Sequence, residues 1–343
     1  MRHGILFIGK GTSVADMVAV SQDAEKLGWH SVNMVEAYRS GPVPMAALAL
    51  GTSTIQIGSY ILNAYGRSPY LTAITALDLD EISGGRIRLG VGSGNRHLNA
   101  NYLGVEKDRP LRKLREYVEV INQVVGAAPG ETVDYQGEIH SLRWTAANKQ
   151  TRPTIPVHLA AIFPGMVKVA ASVADGVGLG VMLSPEYIRD VIRPTATEAA
   201  TKAGRDPAEL AFPMAIVTAV DEDEQYARNL IRQTICGFFH PTPHSYYEFL
   251  LREQGYSKVA DACLRHVPNG EPEKAMETID DELIDRLALV GTPEACAKRV
   301  ADYEGVVDEM IHLNVSTPRD ADPAAGARAA FEGLLTIPGQ AST

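Results

Sequence analysis

SGGRIRLGVGSGN, residues 83–95, contains a turn, a short apolar strand and a glycine-rich loop. The loop nearly matches G-x-G-x-x-G, whose glycines let the backbone approach the pyrophosphate of a dinucleotide, but Asn95 occupies the position of the third glycine. In a dinucleotide-binding fold this loop follows the first strand, whereas here it follows about ninety residues in which strands and helices alternate. The stretch therefore predicts the fourth strand of a larger α/β fold.

Eight apolar runs along the chain have the composition of buried strands, and segments with helical spacing separate most of them. This alternation predicts a single α/β domain over residues 1–343, folded as a (β/α)8 barrel, or TIM barrel. A doubly wound sheet with a separate helical domain is the alternative architecture. The eight runs are residues 4–9, 30–36, 53–61, 86–92, 155–161, 176–181, 210–220 and 309–316.

Residues 221–308, between the seventh and eighth strands, are predicted to form a helical insertion. Successive helix-like segments make this part too long for one barrel helix, so we expect it to cover the barrel mouth. Its aromatic stretch FFHPTPHSYY (238–247) is a candidate lid over the substrate, although packing against the barrel rim is the commoner use of such residues. A smaller feature, TVDYQGEIHSL (132–142), predicts a hairpin that turns at Gly137.

Composition and charge limit the partners of the protein. The 343 residues carry a formal net charge of -10 without a cluster of Lys and Arg, which argues against a nucleic-acid partner. No apolar run reaches the ~20 residues that cross a bilayer, and the apolar stretch at the N-terminus is too short for a secretory signal. We therefore predict a cytoplasmic protein with a small-molecule substrate and no membrane partner.

The cysteines and histidines do not predict a metal site. The three cysteines lie far apart and outside any metal-ligand spacing, which also excludes a disulfide framework. His240 and His244 are four residues apart, but the prolines between them oppose the helix that would bring both side chains to one ion. His158 and His312 lie inside apolar strands and are interpreted as core histidines.

In a (β/α)8 barrel the active site lies at the carboxyl ends of the strands, whatever the reaction. The candidate residues are therefore those that directly follow the first six strands. They are Gly9 and Lys10, residues 36–39, residues 59–63, residues 93–97, residues 161–164 and residues 182–184.

Five stretches together resemble the luciferase-like flavin and deazaflavin oxidoreductases, in particular their methylenetetrahydromethanopterin-reductase-like branch, many members of which use coenzyme F420. The resemblance implies a TIM barrel of the bacterial luciferase type that holds a flavin or deazaflavin edge-on in its mouth. It also implies a homodimer formed through the early barrel helices. The stretches are IQIGSYILNAYGRSP (55–69), LDEISGGRIRLGVGSGN (79–95), VDYQGEIHSL (133–142), PVHLAAIFPGMVKVAASVADGV (156–177) and ALVGTPEACAKRVADY (288–303).

The resemblance also implies which residues hold the cofactor. Alignment on Pro69 places the family's non-prolyl cis peptide, which supports one face of the ring, at Ser59–Tyr60. Glu36 falls where relatives carry an acidic residue near the polar edge of the ring, and a salt bridge to Arg39 or Lys10 is its purely structural alternative. The further expected cofactor contacts are Gly9, Ser93, Gly94 and Asn95, together with Ala161, Ile162 and Phe163 in the fifth loop, where relatives usually have a glycine pair that meets the phosphate.

Two proton-transfer groups of the family's dehydrogenases are missing. Ala37 replaces a histidine that some deazaflavin dehydrogenases use as a base, and Asn95 replaces a glutamate that follows the fourth strand. An asparagine side chain cannot act as a general acid or base. The nearest candidates for a catalytic acid or base are therefore Glu36, His97 and Tyr60, with Tyr38 as a further position.

Three functions remain open at this point. The first is hydride transfer between coenzyme F420 and an unidentified organic substrate. The second is an FMN-dependent monooxygenase that uses reduced flavin and dioxygen. The third is a non-catalytic barrel that binds a ligand, which Ala37, Asn95 and the bulky Ile162–Phe163 pair would suit.

Overall fold

The computed structural model describes residues 1–240, 245–316 and 323–337. Its strands are β1 (Arg2–Phe7), β2 (Ser31–Met34), β3 (Gln56–Ser59), β4 (Leu62–Asn63), β5 (Ile87–Gly92), β6 (Thr132–Gln136), β7 (Ser141–Thr145), β8 (Val157–Ala160), β9 (Gly176–Gly178), β10 (Pro213–Val220), β11 (Ala288–Gly291) and β12 (Glu309–Asn314). Its helices are α1 (Val14–Lys26), α2 (Pro42–Gly51), α3 (Pro69–Ser83), α4 (Arg96–Asn101), α5 (Pro110–Gly126), α6 (Pro164–Val173), α7 (Pro185–Tyr187), α8 (Arg193–Lys202), α9 (Glu224–Gly237), α10 (Ser245–Glu253), α11 (Ser257–His266), α12 (Pro272–Met276), α13 (Asp281–Leu287), α14 (Pro293–Val300) and α15 (Pro323–Leu335).

Eight parallel strands form a barrel, in the order β1, β2, β3, β5, β8, β9, β10 and β12, and β12 pairs with β1. Between β9 and β10 the pairing is reduced to isolated bridges. There the N–H of Leu179 donates to the carbonyl of Pro213, and the N–H of Ala215 donates to the carbonyl of Leu179, both at 2.9 Å. We call this narrow connection the β9–β10 seam. The predicted (β/α)8 barrel is confirmed.

The segment predicted as a helical insertion, residues 221–308, contains one strand as well as helices. Ala288–Gly291 forms β11, which pairs in parallel with the outer half of β10. A four-residue apolar run is too short for its period to distinguish a strand from a helix. In the described part of this segment, helices α9 to α13 precede β11 and α14 follows it. His244, one of the two histidines considered as metal ligands, lies outside the described residues.

The hairpin predicted at Gly137 is confirmed, and a single carboxylate fastens it to the barrel. Strands β6 and β7 are antiparallel, and the N–H of Gly137 donates to the carbonyl of His140 at 2.8 Å. The buried side chain of Glu116, on α5, accepts the backbone N–H groups of residues 138–140 at 2.8 to 2.9 Å. Burial opposes ionisation of Glu116, but these hydrogen bonds lower its pKa below the ordinary value.

Polar side chains fill the barrel near the amino ends of β2, β5 and β12. Arg88 and Glu309 form a buried ion pair with two contacts, one of which joins Nη2 to Oε1 at 3.1 Å. Burial opposes ionisation of Glu309, but Arg88 and the hydroxyl of Ser31 lower its pKa to about 2. Gly4 leaves room for this pair, because a Cβ atom there would lie 2.9 Å from Oε1 of Glu309.

Three buried histidines lie in the barrel strands β1, β8 and β12. Nδ1 of His3 and Nε2 of His312 are 2.9 Å apart, and Nδ1 of His312 is 3.0 Å from the hydroxyl of Thr218. His158 is also buried, and its Nδ1 has no hydrogen-bond partner among the described residues. The interpretation of His158 and His312 as core histidines is therefore confirmed.

We expect the free energy of unfolding to fall as the pH drops from 7 to 5. Burial lowers the pKa of His3 to about 4 and that of His158 to about 3, whereas both titrate near 6.5 in the unfolded chain. Below pH 6.5 the unfolded state therefore binds protons that the folded state does not, at a cost of ~1.4 kcal/mol per pH unit and histidine. Urea unfolding at pH 7, 6 and 5 measures this slope. His158→Asn should make the slope shallower, and an unchanged slope would show that His158 does not contribute to it.

Candidate active site

A cavity of about 520 Å³ lies at the carboxyl ends of the barrel strands. Its wall combines the loops that follow β2, β3, β5 and β8 with the first turn of α10. Seven of the residues selected from the sequence line it, namely Glu36, Tyr60, Ser93, Gly94, Asn95, Ile162 and Phe163. Gly9, Ser59, His97 and Ala161 do not line it.

The strand that ends in a bulge beside this cavity is β3. A non-prolyl cis peptide joins Tyr60 to Ile61, so the prediction of a cis bond at Ser59–Tyr60 is wrong by one residue. The reason is that strand pairing continues through Tyr60, whose N–H donates to the carbonyl of Met34 at 2.8 Å. After the bulge, β4 pairs with β5. The hydroxyl of Ser59 anchors the bulge to β5. It accepts the N–H of Gly90 at 2.9 Å and donates to the carbonyl of the same residue at 2.8 Å.

Tyr60 lines the cavity, but its hydroxyl belongs to the barrel wall. The O–H lies 2.7 Å from the carbonyl of Leu179 and 2.9 Å from that of Pro213, so it spans the β9–β10 seam. Burial raises the pKa of Tyr60 far above its ordinary value. The hydroxyl proton is therefore used in structural hydrogen bonds, which does not suit the acid-base role considered for Tyr60.

Glu36 is held by two partners that follow β3. Its Oε2 accepts the N–H of Asn63 at 2.9 Å, and its Oε1 is 3.6 Å from Nη1 of Arg67. Burial raises the pKa of Glu36 above the ordinary value, although both partners oppose this shift. The structural alternative expected from the sequence was a salt bridge from Glu36 to Arg39 or Lys10. Arg39 instead donates to the carbonyls of Gly9 and Thr12, at 3.3 and 2.7 Å, which ties down the loop after β1.

Two of the candidate acid-base residues lie on the surface near the mouth. Tyr38 is 64% exposed and carries the Lys10 ammonium 5.9 Å above its ring. His97 packs edge-on against Tyr102 and bonds to the side chain of Asn101 at 3.1 Å. Neither side chain lines the cavity.

Asn95 has a structural role in the loop after β5. Its Oδ1 accepts the N–H of Leu98 at 2.7 Å, which caps the first turn of α4. The neighbouring Gly94 has a positive φ of 56°, and a Cβ atom there would lie 2.4 Å from Nδ2 of Asn63. The side chain of Asn63 also donates to Asn99 at 2.7 Å, so the loops after β4 and β5 are tied together. The residue at position 95 is therefore a helix cap rather than a carboxylic acid.

The fifth loop packs its bulky side chain against the insertion. Ala161 belongs to the sheet, because its N–H donates to the carbonyl of Gly178 at 2.9 Å. Phe163 lines the cavity, and its ring centroid lies 4.5 Å from that of Phe249 and 5.8 Å from that of Tyr246, both on α10. Phe163 therefore joins the barrel rim to α10 in an aromatic cluster.

Three polar residues of the cavity wall were missed by sequence reasoning as individual site residues. Tyr246 and Tyr247 belong to the aromatic stretch considered as a lid, so that stretch was the available signal. Lys107 lies in an irregular loop without any period or motif, and nothing in the sequence singles it out. Its ammonium hydrogen-bonds the hydroxyl of Tyr246 and lies 4.6 Å from the centroid of that ring.

The described part of the chain contains neither a metal site nor a membrane-spanning helix. Residues 1–240, 245–316 and 323–337 contain no group of three or more His, Cys, Asp and Glu side chains that could hold a metal ion. Over the same residues, no helix has the length and apolar character needed to cross a bilayer.

Comparison with known proteins gives matches over most of the chain. The family described as luciferase-like monooxygenase matches residues 2–309. The 5,10-methylenetetrahydromethanopterin reductase of Archaeoglobus fulgidus is 30% identical over 258 residues, or 75% of each chain. The coenzyme F420 dependent tetrahydromethanopterin reductase of Methanopyrus kandleri has a similar structure, with a TM-score of 0.80 and 22% identity over 98% of this chain and 97% of that one. An F420-dependent secondary alcohol dehydrogenase, solved with an F420-acetone adduct, gives a TM-score of 0.77 and 18% identity over 98% of both chains.

These matches agree with the barrel described above. Because the family match extends from β1 to the start of β12, the chain belongs to the luciferase-like monooxygenase family and is an oxidoreductase of that family.

Proposed function

We propose that the protein transfers a hydride between coenzyme F420, a deazaflavin, and an organic substrate. The similar protein of Archaeoglobus fulgidus is named as a reductase, and the two similar solved structures are named as F420-dependent enzymes. The observation that carries the proposal is the cavity wall between the bulge after β3 and the glycine-rich loop after β5.

This wall fits a flat and mostly apolar ring. A Cβ atom at Gly92 would lie 3.1 Å from both Cγ1 of Ile61 and Cβ of Ala160, so glycine keeps the wall free of a side chain here. Val35 and Leu98 add apolar surface to the same cavity. Its volume of about 520 Å³ lies within the range of small-molecule sites. The residues present therefore fit the ring system of a flavin or deazaflavin.

The chain's own residues would bind and orient this group. When bound, the deazaflavin supplies the atom that gives or takes the hydride. Ile61 and the backbone of residues 92–94 would hold the ring, and Gly165 in the first turn of α6 would meet an anionic tail at the positive end of the helix. Glu36 holds the N–H of Asn63 and so keeps the bulge in position.

A titration of the purified protein with F420 and, separately, with FMN tests the proposal. We expect saturable quenching of F420 fluorescence, confirmed by calorimetry, with weaker binding of FMN. Saturable binding of FMN without binding of F420 would overturn the F420 assignment. Failure to bind either compound would overturn cofactor use by this cavity as a whole.

An FMN-dependent monooxygenase is the second candidate function. The observation that favours it is the description of the matching family as luciferase-like monooxygenase. The same cavity would hold the FMN ring, because the residues named above fit either ring system. Dioxygen consumption by the FMN-loaded protein in the presence of a reductant would support this candidate, and its absence would remove it.

We also propose that the protein forms a homodimer through α2 and α3. Val43 and Leu50 on α2 are 70% and 77% exposed, and Leu71 and Ile82 on α3 are exposed as well. Analytical ultracentrifugation should show a dimer whose dissociation is promoted by the double substitution Val43→Glu and Leu50→Glu, because a dimer interface would bury both new charges. Glu substitutions at Leu27, an exposed apolar residue at the end of α1, serve as the control. A monomeric wild-type protein would contradict the proposal.

A further inference from the structure

Lys107 is a half-buried cation in the wall of the cavity, and its protein partners are neutral. Its ammonium donates to the hydroxyl of Tyr246 and lies 3.5 Å from the carbonyl oxygen of Gly94. The same tyrosine donates its O–H to that carbonyl at 3.1 Å. No carboxylate within the described ranges lies within ion-pair distance of Lys107, whereas Arg88, Arg152 and Arg232 each have one.

The acidic residues next to Lys107 in sequence or in the cavity do not pair with it. Glu106 is exposed and forms no ion pair with Lys107 in the described part of the chain. Asp108 pairs with Arg109 at 3.1 Å, and Glu36 pairs with Arg67. Burial is the main cause that lowers the pKa of Lys107 to about 8, and the nearby positive charge of Arg96 acts in the same direction. The local surroundings therefore disfavour the charged lysine unless an anion is present.

An ammonium group has three N–H donors, of which two are directed to Tyr246 and Gly94. A partly buried charge without a counter-charge is costly, and a ligand anion would supply both the missing charge and the third acceptor. We propose that Lys107, assisted by Tyr246, binds a carboxylate or phosphate group of the ligand that occupies this cavity. The inference rests on the proposed function only in taking this cavity as the ligand site.

Tyr246 contacts both Lys107 and the barrel rim. The Lys107 ammonium lies 4.6 Å from the centroid of its ring, and the ring of Phe163, the residue before α6, lies 5.8 Å from the same ring. The anion at Lys107 belongs either to the substrate or to the side chain of the cofactor, and the chemistry that binds it is the same.

Calorimetry with simple probes tests the site without any turnover. Benzoate and phenyl phosphate are the anionic probes, and benzamide is the neutral probe of similar shape. We expect Lys107→Met to weaken both anionic probes by about tenfold or more while benzamide binds as before, and Lys107→Arg to retain most of the affinity. Lys113→Met is the matched control, because Lys113 also lies over a tyrosine ring, at 4.8 Å from the centroid of Tyr65, but does not line the cavity.

A second comparison identifies the source of the anion. If Lys107→Met weakens FMN but not riboflavin, the group bound is the cofactor phosphate. If it weakens benzoate and leaves both flavins unchanged, the group belongs to the substrate. Either result supports the inference. Because the benzoate measurement needs no cofactor, a Lys107-dependent affinity for benzoate would stand even if neither F420 nor FMN bound and the proposed function failed.

The inference is overturned if Lys107→Met binds the anionic probes as tightly as Lys113→Met does. It is equally overturned if benzamide loses affinity in parallel with benzoate, because Lys107 would then only shape the wall. If Lys107→Met does not fold, Tyr246→Phe decides the matter. That variant removes one oxygen partner of the ammonium, so it should bind benzoate more weakly than the wild type does and benzamide equally well. If it binds both probes as tightly as the wild type does, the proposed site is contradicted.

Discussion

Arg88→Met is expected to lower the free energy of unfolding by about 3–5 kcal/mol, the largest single effect in the barrel. The substitution leaves the carboxylate of Glu309 buried without its cation, with the hydroxyl of Ser31 as its remaining donor. Arg88 also donates to Oδ1 of Asn33 at 3.0 Å, so a second buried acceptor loses its partner. Urea unfolding at pH 7 measures the loss.

Two further variants distinguish an unpaired buried charge from a general loss of packing. The double variant Arg88→Met and Glu309→Leu should recover most of the loss, since it removes both charges together. Arg143→Met breaks the exposed ion pair with Asp134 and should cost less than ~1 kcal/mol. A single Arg88→Met variant no less stable than Arg143→Met would refute the assignment.

Gly90→Ala is expected to weaken cofactor binding by roughly tenfold or more and to destabilise the protein by ~1–3 kcal/mol. A Cβ atom at residue 90 would lie 2.2 Å from the carbonyl oxygen of Ser59 and 3.1 Å from its carbonyl carbon. Both are backbone atoms, which cannot rotate away as a side chain can. The end of β3 must therefore shift, and the Tyr60–Ile61 peptide that lines the cavity must shift with it.

The measurement for Gly90→Ala is the dissociation constant of F420, together with the thermal midpoint of the same samples. Gly126→Ala is the matched control, because it lies at the end of α5 and the nearest atom to its added Cβ is 3.9 Å away. We expect the control to bind the cofactor as the wild type does. Wild-type affinity in Gly90→Ala would show that the bulge does not support the ring.

The fold was predictable from the sequence to the extent that its signals are local. All eight predicted runs overlap strands of the barrel, and the turn at Gly137 follows from its own residues. The strand β11 was missed because four apolar residues carry no period, and only its pairing with the distant β10 identifies it. The cis peptide was displaced by one residue because strand pairing with β2, rather than local sequence, decides where β3 ends.

The site was predictable only where a strand end or a family pattern marks it. Glu36 and residues 93–95 were found in this way, because strand ends converge on one edge of the barrel. Lys107 could not be found, since its contact with Tyr246 depends on how the loop between α4 and α5 folds and on where α10 packs. Asn95 was read as a missing acid, and the structure adds a reason for an asparagine there, because its side chain caps α4.

The hydroxyl of Tyr60 connects the β9–β10 seam to the wall of the ligand cavity. A ligand that packs against the Tyr60–Ile61 peptide favours the state in which the β9–β10 seam is closed, and by linkage a closed seam favours the ligand. The exchange of the Leu179 and Ala215 amide hydrogens with solvent deuterium should therefore be slower when the cavity is occupied, although neither residue lines it. Occupancy of the cavity and closure of this backbone ladder would then stabilise each other.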